Sequence, residues 1–224
     1  MGSNMAECHP VAFRWAMQAK AKGATLIHVD PRFTRTSAMA NIHAPIRAGT
    51  DIAFLGGLIN YFINAPRWNS DPFFHEYLVN YTNAASLISA DFQDTEDLDG
   101  VFTGLDKTNR KYDLKTWAYQ RSGPAAQPTG QEKTYAEMVA ATLPKPAKTD
   151  PSLADPHTVF QVMKRHYARY TPEMVEKVTG LPQAKFIEVA EAMLANSGRE
   201  RTGAFVYAVG WTQHTVGTQI IRAA

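Results

Sequence analysis

Apolar and polar positions alternate in different ways at the two ends of the chain and in its middle. Between Ala6 and Lys22, the apolar Val11, Phe13, Trp15 and Met17 interleave with Arg14, Gln18, Lys20 and Lys22. This predicts a helix with one buried face, stopped by Gly23. The run "ATLIHVD" that follows is short, apolar and β-branched, as a buried parallel strand would be. "PRFTRTSAMA" then leaves the strand as a loop and enters a short helix, and "HAPIRAGTD" holds another short extended piece and a turn. Thr50 or Asp51 caps a helix running to about Asn64. Its apolar stretch "IAFLGGLINYFI" is too short to cross a bilayer, which needs roughly 20 residues, and reads as a buried helix. Near the other end, "TPEMVEKVTG" and "PQAKFIEVAEAMLANSG" are two helices. Thr171 before Pro172 starts the first, and Gly180 and Gly198 stop the two. "TGAFVYAVGW" reads as a strand, and "TQHTVGTQIIRAA" as a turn entering a helix.

Strands alternating with helices predict an α/β fold: a Rossmann-like parallel sheet with helices on both faces. Residues 90–156 break the pattern. Their periodicity is weak and they hold much of the Pro, Gly, Asp and Lys, as in "RSGPAAQPTGQ" and "LPKPAKTDPSLADP". They read as a surface insertion within a single domain spanning 1–224. Composition changes this picture little. The 224 residues are 45% hydrophobic and 20% charged, with a formal net charge of +2. No strong field argues for nucleic acid or an anionic membrane. The single cysteine, Cys8, cannot form an internal disulfide or build a cysteine-rich metal site.

Candidate chemistry lies in the turns. Gly2-Ser3-Asn4 leads into a helix, where unpaired backbone N–H groups suit a phosphate or carboxylate. Asp30 ends the next strand, placed to accept hydrogen bonds from ribose hydroxyls. Together they make half of a dinucleotide-binding unit whose first strand lies upstream of Met1. The alternative is a plain helix cap beside a solvated aspartate. "RAGTD" and "VGWTQH" are further turns at strand ends that could meet the same ligand. Trp211 either stacks or packs in the core, and Gln213 suits a polar heterocycle edge. Cys8 and His9 mimic a metal ligand and its neighbour, but a packed, unreactive thiol fits better. His214 sits at the rim or touches a ligand. A nicotinamide-dependent dehydrogenase is a rival reading, weakened because the first turn lacks G-x-G-x-x-G. A non-catalytic interaction module is another.

"GSNMAECHPV", "DPRFTRTSAMA", "IRAGTDIAFL" and "VGWTQHTVGTQ", in this order and spacing, resemble the molybdopterin oxidoreductase family. "GVFTGLDKTNRKYDLKTWAYQ" and "HTVFQVMKRHYARYTPEMVEKVTG" are similar to the catalytic subunits of its respiratory, selenocysteine-type formate dehydrogenases. The resemblance covers essentially the whole chain. It implies a bis(molybdopterin guanine dinucleotide) cofactor with molybdenum or tungsten. Gly2, Ser3, Asn4 and Glu7 would lie at the diphosphate turn, and Asp30, Arg32 and Thr34 at the ribose and guanine. Gly49 and Asp51 would border the nucleotide, while Gly210, Trp211 and Gln213 would close over the pterin or diphosphate. In the family the metal ligand lies upstream of the Gly-Ser-Asn turn, the [4Fe-4S] cysteines further upstream, and an active-site arginine downstream of Ala224. The resemblance therefore implies an internal segment with no catalytic or metal-binding residue of its own. The parent subunit would oxidise formate in the periplasm, beside an iron–sulfur beta subunit and a membrane cytochrome b subunit.

Overall fold

A computed structural model describes residues 1–121 and 147–224. In chain order the elements are α1 (Met5–Cys8), α2 (Pro10–Ala21), β1 (Ile27–Val29), α3 (Arg35–Met39), β2 (Ile42–Ala44), α4 (Asp51–Ile63), α5 (Arg67–Ser70) and α6 (Pro72–Tyr81). There follow β3 (Leu105–Asp106), β4 (Lys111–Tyr112), a 3-10 turn (Leu114–Trp117), α7 (Val159–Tyr167), α8 (Pro172–Thr179), α9 (Gln183–Ala195), α10 (Val209–Thr212) and α11 (Gly217–Ala223). The chain is thus mixed helix and strand. It divides into two units, Met1–Phe73 with Tyr167–Ala224, and Phe74–His166.

The first unit is built on α4. Phe54, Leu55 and Leu58 of this helix are buried against Val175 of α8, Phe186, Val189 and Ala190 of α9, and Ile220 of α11. Gly57 permits that approach. A Cβ there would lie 2.5 Å from Val175 Cγ2 and 3.0 Å from Phe186 Cζ. The helix-propensity cost of such a glycine, about 1 kcal/mol, is offset by the packing it allows. α4 runs from Asp51 with Thr50 as N-cap, as its sequence predicts. The Thr50 hydroxyl, however, donates to the Arg47 carbonyl at 2.6 Å and does not cap the helix amides. α8 also keeps its expected ends: Thr171 Oγ1 accepts from Met174 N–H at 3.2 Å, and Gly180 takes a left-handed φ of 74°.

β1 and β2 pair in parallel, with Ile27 opposite Ile42 and Val29 opposite Ala44. The wider Rossmann-like sheet is not formed among the described residues, whose named strands make two separate two-stranded pairs. The strand expected over 203–210 is the main correction. Residues 201–208 carry no regular element, and α10 begins at Val209. Phe205, Val206 and Tyr207 are 45%, 53% and 42% exposed. β-preference expresses packing against neighbouring strands and not an intrinsic backbone choice. None of the described strands runs beside this segment, where the Met1 amino group donates to the Val206 carbonyl at 2.8 Å.

The helix expected from Ala6 to Lys22 is likewise two helices. They meet at His9, whose φ of −136° and ψ of 56° leave the helical region. The cause is Pro10, which disfavours the helical conformation of the residue before it. Of α2 only Phe13 is buried, while Val11 and Trp15 are 73% and 68% exposed. α9 stops at Ala195 with Asn196 as C-cap, short of Gly198.

Among its described residues, the second unit, Phe74–His166, has short strands and single bridges beside its helices. β3 and β4 form a small antiparallel hairpin, and single bridges join Ser86 to Thr149, Leu87 to Thr158, Ile88 to Tyr119 and Arg121 to Ala147. Asp150 organises the turn before α7. Its carboxylate accepts from Ser152 N–H at 2.9 Å, Ser152 Oγ–H at 2.6 Å, Ala154 N–H at 3.0 Å and Asp155 N–H at 2.8 Å. These bonds hold its pKa down at about 2, the Ser152 hydroxyl contributing most.

Candidate functional site

The sequence-predicted site residues lie in the first unit, and the structure brings several of them together. Gly2 has a left-handed φ of 59°, and its carbonyl accepts from Gly210 N–H at 3.0 Å. Neither glycine tolerates a side chain. A Cβ on Gly210 would lie 2.6 Å from Gly2 O, and one on Gly2 would lie 2.8 Å from Trp211 Cδ1. The N-terminal turn and the "VGW" turn are therefore pressed backbone to backbone. Past Gly2, the N–H groups of Ser3, Asn4 and Met5 have no acceptor among the described residues. Three successive amide donors thus stand at the entry of α1, an arrangement of the kind that suits an anion.

Side chains brace this turn. Asn4 Oδ1 accepts from Thr36 Oγ1–H at 3.1 Å, and Thr36 Oγ1 accepts from Ala6 N–H at 3.0 Å. Asn4 Nδ2 donates to Glu7, which also faces Arg35 at 3.4 Å in an exposed ion pair. Asp30 leaves β1 with its side chain largely covered. One carboxylate oxygen accepts from Arg32 N–H at 2.8 Å; the other lies 3.9 Å from His28 Nε2. The Arg32 side chain is exposed. Thr34 closes a capping box on α3. Its Oγ1 accepts from Ser37 N–H at 3.4 Å, and its own N–H donates to Ser37 Oγ at 2.8 Å.

Asp51 and Trp211 are joined. The indole N–H donates to Asp51 Oδ1 at 2.9 Å, the carboxylate 7% exposed and the ring fully buried against Tyr207 at 5.0 Å. Of the two roles open to Trp211, the structure gives it the packed one. Gly49, with φ of 82°, lies under His214, whose Cε1 would be 3.4 Å from a Cβ there. Gln213 is exposed. Asp30 and Asp51 both act electrostatically on the Met1 amino group, so the strand-end acid and the α4 acid face a common region. Burial nevertheless lowers that group's pKa below the ordinary value.

Comparison with known proteins decides the family. The chain is 46% identical over 223 residues, 99% of its length, to the nitrate-inducible formate dehydrogenase major subunit of Escherichia coli. It is 42% identical over its whole length to the formate dehydrogenase 2 subunit alpha (cytochrome c-553) of Nitratidesulfovibrio vulgaris. The chain belongs to the formate dehydrogenase major-subunit family. It spans 19% of the length of these two relatives. A shorter likeness, 40% over 86 residues, reaches the periplasmic nitrate reductase of Desulfovibrio desulfuricans. No family model matches the chain.

Within this family segment, one sequence reading changes. Cys8 is exposed, not packed, because it sits at the end of the four-residue α1 and not inside a longer helix. Among the described residues no group of three or more His, Cys, Asp or Glu is placed to hold a metal. The site also uses residues that motif reading passed over: Thr36 and Ser37, both 4% exposed, and His28, 3% exposed. A signal was available, since a histidine in the middle of the apolar run "LIHVD" must find polar partners if the strand is buried.

Proposed function

We propose that this segment forms part of the wall holding one guanine dinucleotide arm of a bis(molybdopterin guanine dinucleotide) cofactor, in a subunit that oxidises formate. The observation that carries the reading is the Gly2–Met5 turn. It holds three amides without an acceptor among the described residues, beside the Gly2–Gly210 backbone contact, in a chain 46% identical to a formate dehydrogenase subunit. A diphosphate is an anion that needs backbone donors and close approach, and this turn fits both demands. When bound, the metal–pterin group supplies the two-electron chemistry that converts formate to carbon dioxide, a proton and two electrons.

This chain's residues bind and orient. Ser3, Asn4 and Met5 donate amides to the diphosphate, while Asn4 and Glu7 hold the turn's shape. Asp30 offers its second carboxylate oxygen to ribose hydroxyls, and Arg32 and Thr34 border the guanine. Gly49, Asp51, Gly210, Trp211 and Gln213 complete the wall. Trp211 acts from the core by fixing Asp51 and the Gly210 backbone. The Rossmann-like sheet would be completed in the parent subunit, where residues 203–208 gain a neighbouring strand and 90–156 form a surface insertion. The [4Fe-4S] centre and metal ligand belong to other parts of that subunit.

Formate is the proposed substrate, and electrons leave through an iron–sulfur beta subunit toward a membrane cytochrome b partner. The relative named with cytochrome c-553 supports a cytochrome in the electron path. No helix among the described residues is long and apolar enough to cross a membrane. A periplasmic location agrees with the relative named as periplasmic. The test is anaerobic purification of the full-length subunit. Metal and pterin analysis should find molybdenum or tungsten with guanine nucleotide, and formate should reduce a viologen dye. A full-length subunit lacking pterin would overturn the reading.

A further inference from the structure

His28 stands in the middle of β1, on the strand face opposite Ile27 and Val29, and is 3% exposed. Its Nε2 lies 3.1 Å from the Ser3 carbonyl oxygen, and its Nδ1 lies 2.9 Å from Ser37 Oγ. The carbonyl can only accept, so Nε2 carries the proton. Nδ1 then presents a lone pair and accepts a hydrogen bond from the Ser37 hydroxyl. Ser37 Oγ keeps its acceptor role toward Thr34 N–H at 2.8 Å. One neutral tautomer thus satisfies every member of the chain from the turn to the α3 cap. It reaches Ser3 in the N-terminal turn, 25 residues away, and Ser37 in the cap, nine residues away, with Asp30 at the strand end beside it.

We infer that His28 is the positioning residue of this wall: its ring holds the Gly2–Asn4 turn through Nε2–H to the Ser3 carbonyl and the Thr34–Ser37 cap through Nδ1 to the Ser37 hydroxyl. The inference rests on the dinucleotide reading above for what the turn holds. A second proton on Nδ1 would turn the Ser37 hydroxyl toward the Arg32 carbonyl, 3.4 Å away, and leave the Nε2–H bond to Ser3 in place. It would also place a charge in a nearly dry site. Asp30, 3.9 Å away, favours the charged ring. His43, stacked at 5.9 Å, opposes it. Burial is the largest influence and holds His28 below the ordinary histidine value.

The sign follows. A base with a lowered folded pKa contributes full stability above its unfolded value of about 6.5, and the contribution is lost as pH falls below it. Three variants of the full-length subunit separate the two ring nitrogens. The Gln amide nitrogen reaches the Nε2 position, so His28→Gln keeps the bond to Ser3 and cannot titrate. The shorter Asn reaches only toward Ser37, and Phe reaches neither.

Hydrogen-exchange protection of the peptide spanning 1–8, measured from pH 8 to 5 in subunit made without pterin, reads the tie itself. Pterin and guanine nucleotide per purified subunit read what the tie holds. The wild type should be protected and loaded between pH 8 and 7, where the ring is neutral. His28→Gln should stay protected and loaded across that range. His28→Asn and His28→Phe should lose roughly tenfold in protection at every pH, the scale of one buried hydrogen bond. Equal behaviour of Gln and Asn, or full protection in His28→Phe, would overturn the inference. Protection that follows His28 while nucleotide content does not would leave the tie standing and overturn the dinucleotide reading.

Discussion

Replacing Gly210 by alanine should pry the N-terminal turn away from α10. The added Cβ meets Gly2 O at 2.6 Å, Gly2 Cα at 2.8 Å and Gly2 C at 2.9 Å, all backbone atoms that no rotamer change can move. The two backbones must part by roughly 0.8 Å to restore ordinary contact. That separation stretches the Gly210 N–H bond to Gly2 O, now 3.0 Å, beyond hydrogen-bonding range. Overpacking of this kind costs about 1–3 kcal/mol, and the lost bond about 0.5–1.5 kcal/mol. Alanine in place of glycine in a helix returns about 1 kcal/mol. The net loss is about 1–3 kcal/mol, or roughly 5- to 150-fold in the local opening equilibrium. Hydrogen exchange of the peptide spanning 206–213 in the full-length subunit measures it directly. Gly23→Ala is the control, because Gly23 also has a positive φ, 94°, but its Cβ would meet nothing within 4 Å. If Gly210→Ala left exchange at 206–213 unchanged while Gly23→Ala disturbed it equally or more, the close approach would not be what fixes the turn.

Three other outcomes follow from the same contacts. Cys8→Ser in the full-length subunit should leave metal content and formate oxidation nearly intact, because the exposed thiol has no cluster of ligands around it among the described residues; metal analysis of the variant decides the point. Asp150 has its pKa lowered to about 2, so its bonds are fully present above the ordinary aspartate value and are lost as pH falls toward 2. Exchange at Ser152, Ala154 and Asp155 should therefore hold steady above about pH 4 and rise below it, and Asp150→Asn should abolish that dependence. The isolated 224 residues should hold no molybdenum and reduce no dye with formate; activity from this segment alone would show that it contains a metal site.

What the sequence revealed and what it hid have different physical causes. The ends of α4 and α8 were legible because their signals are local: Thr50 and Asp51, Thr171 with Pro172, and a left-handed Gly180. The parallel partner of β1 was legible as a short extended piece near His43, but not its pairing. Residues 204–207 misled because their β-preference needs a neighbour that the described residues do not supply. Pro10 was visible, yet the stripe across Ala6–Lys22 outweighed it, and that error hid the exposure of Cys8. Gly2, Asp30 and Asp51 were singled out by type and position. The partners that place them, Trp211 on Asp51 and His28 on Ser3, span 160 and 25 residues and cannot be read from local pattern.

The central claim, that this wall holds a guanine nucleotide, is tested most directly at Asp30. Asp30→Asn keeps an oxygen for Arg32 N–H but replaces the second acceptor by an NH2 group. It should preserve the turn and still lose the ribose contact. Leaving such groups unpaired costs about 1–3 kcal/mol, or roughly 5- to 150-fold in retention. Guanine nucleotide and pterin per full-length subunit, quantified after purification alongside the wild type and Asp30→Ala, is the measurement. Both variants should fall well below the wild type; a full complement of nucleotide in Asp30→Asn and Asp30→Ala would contradict the account.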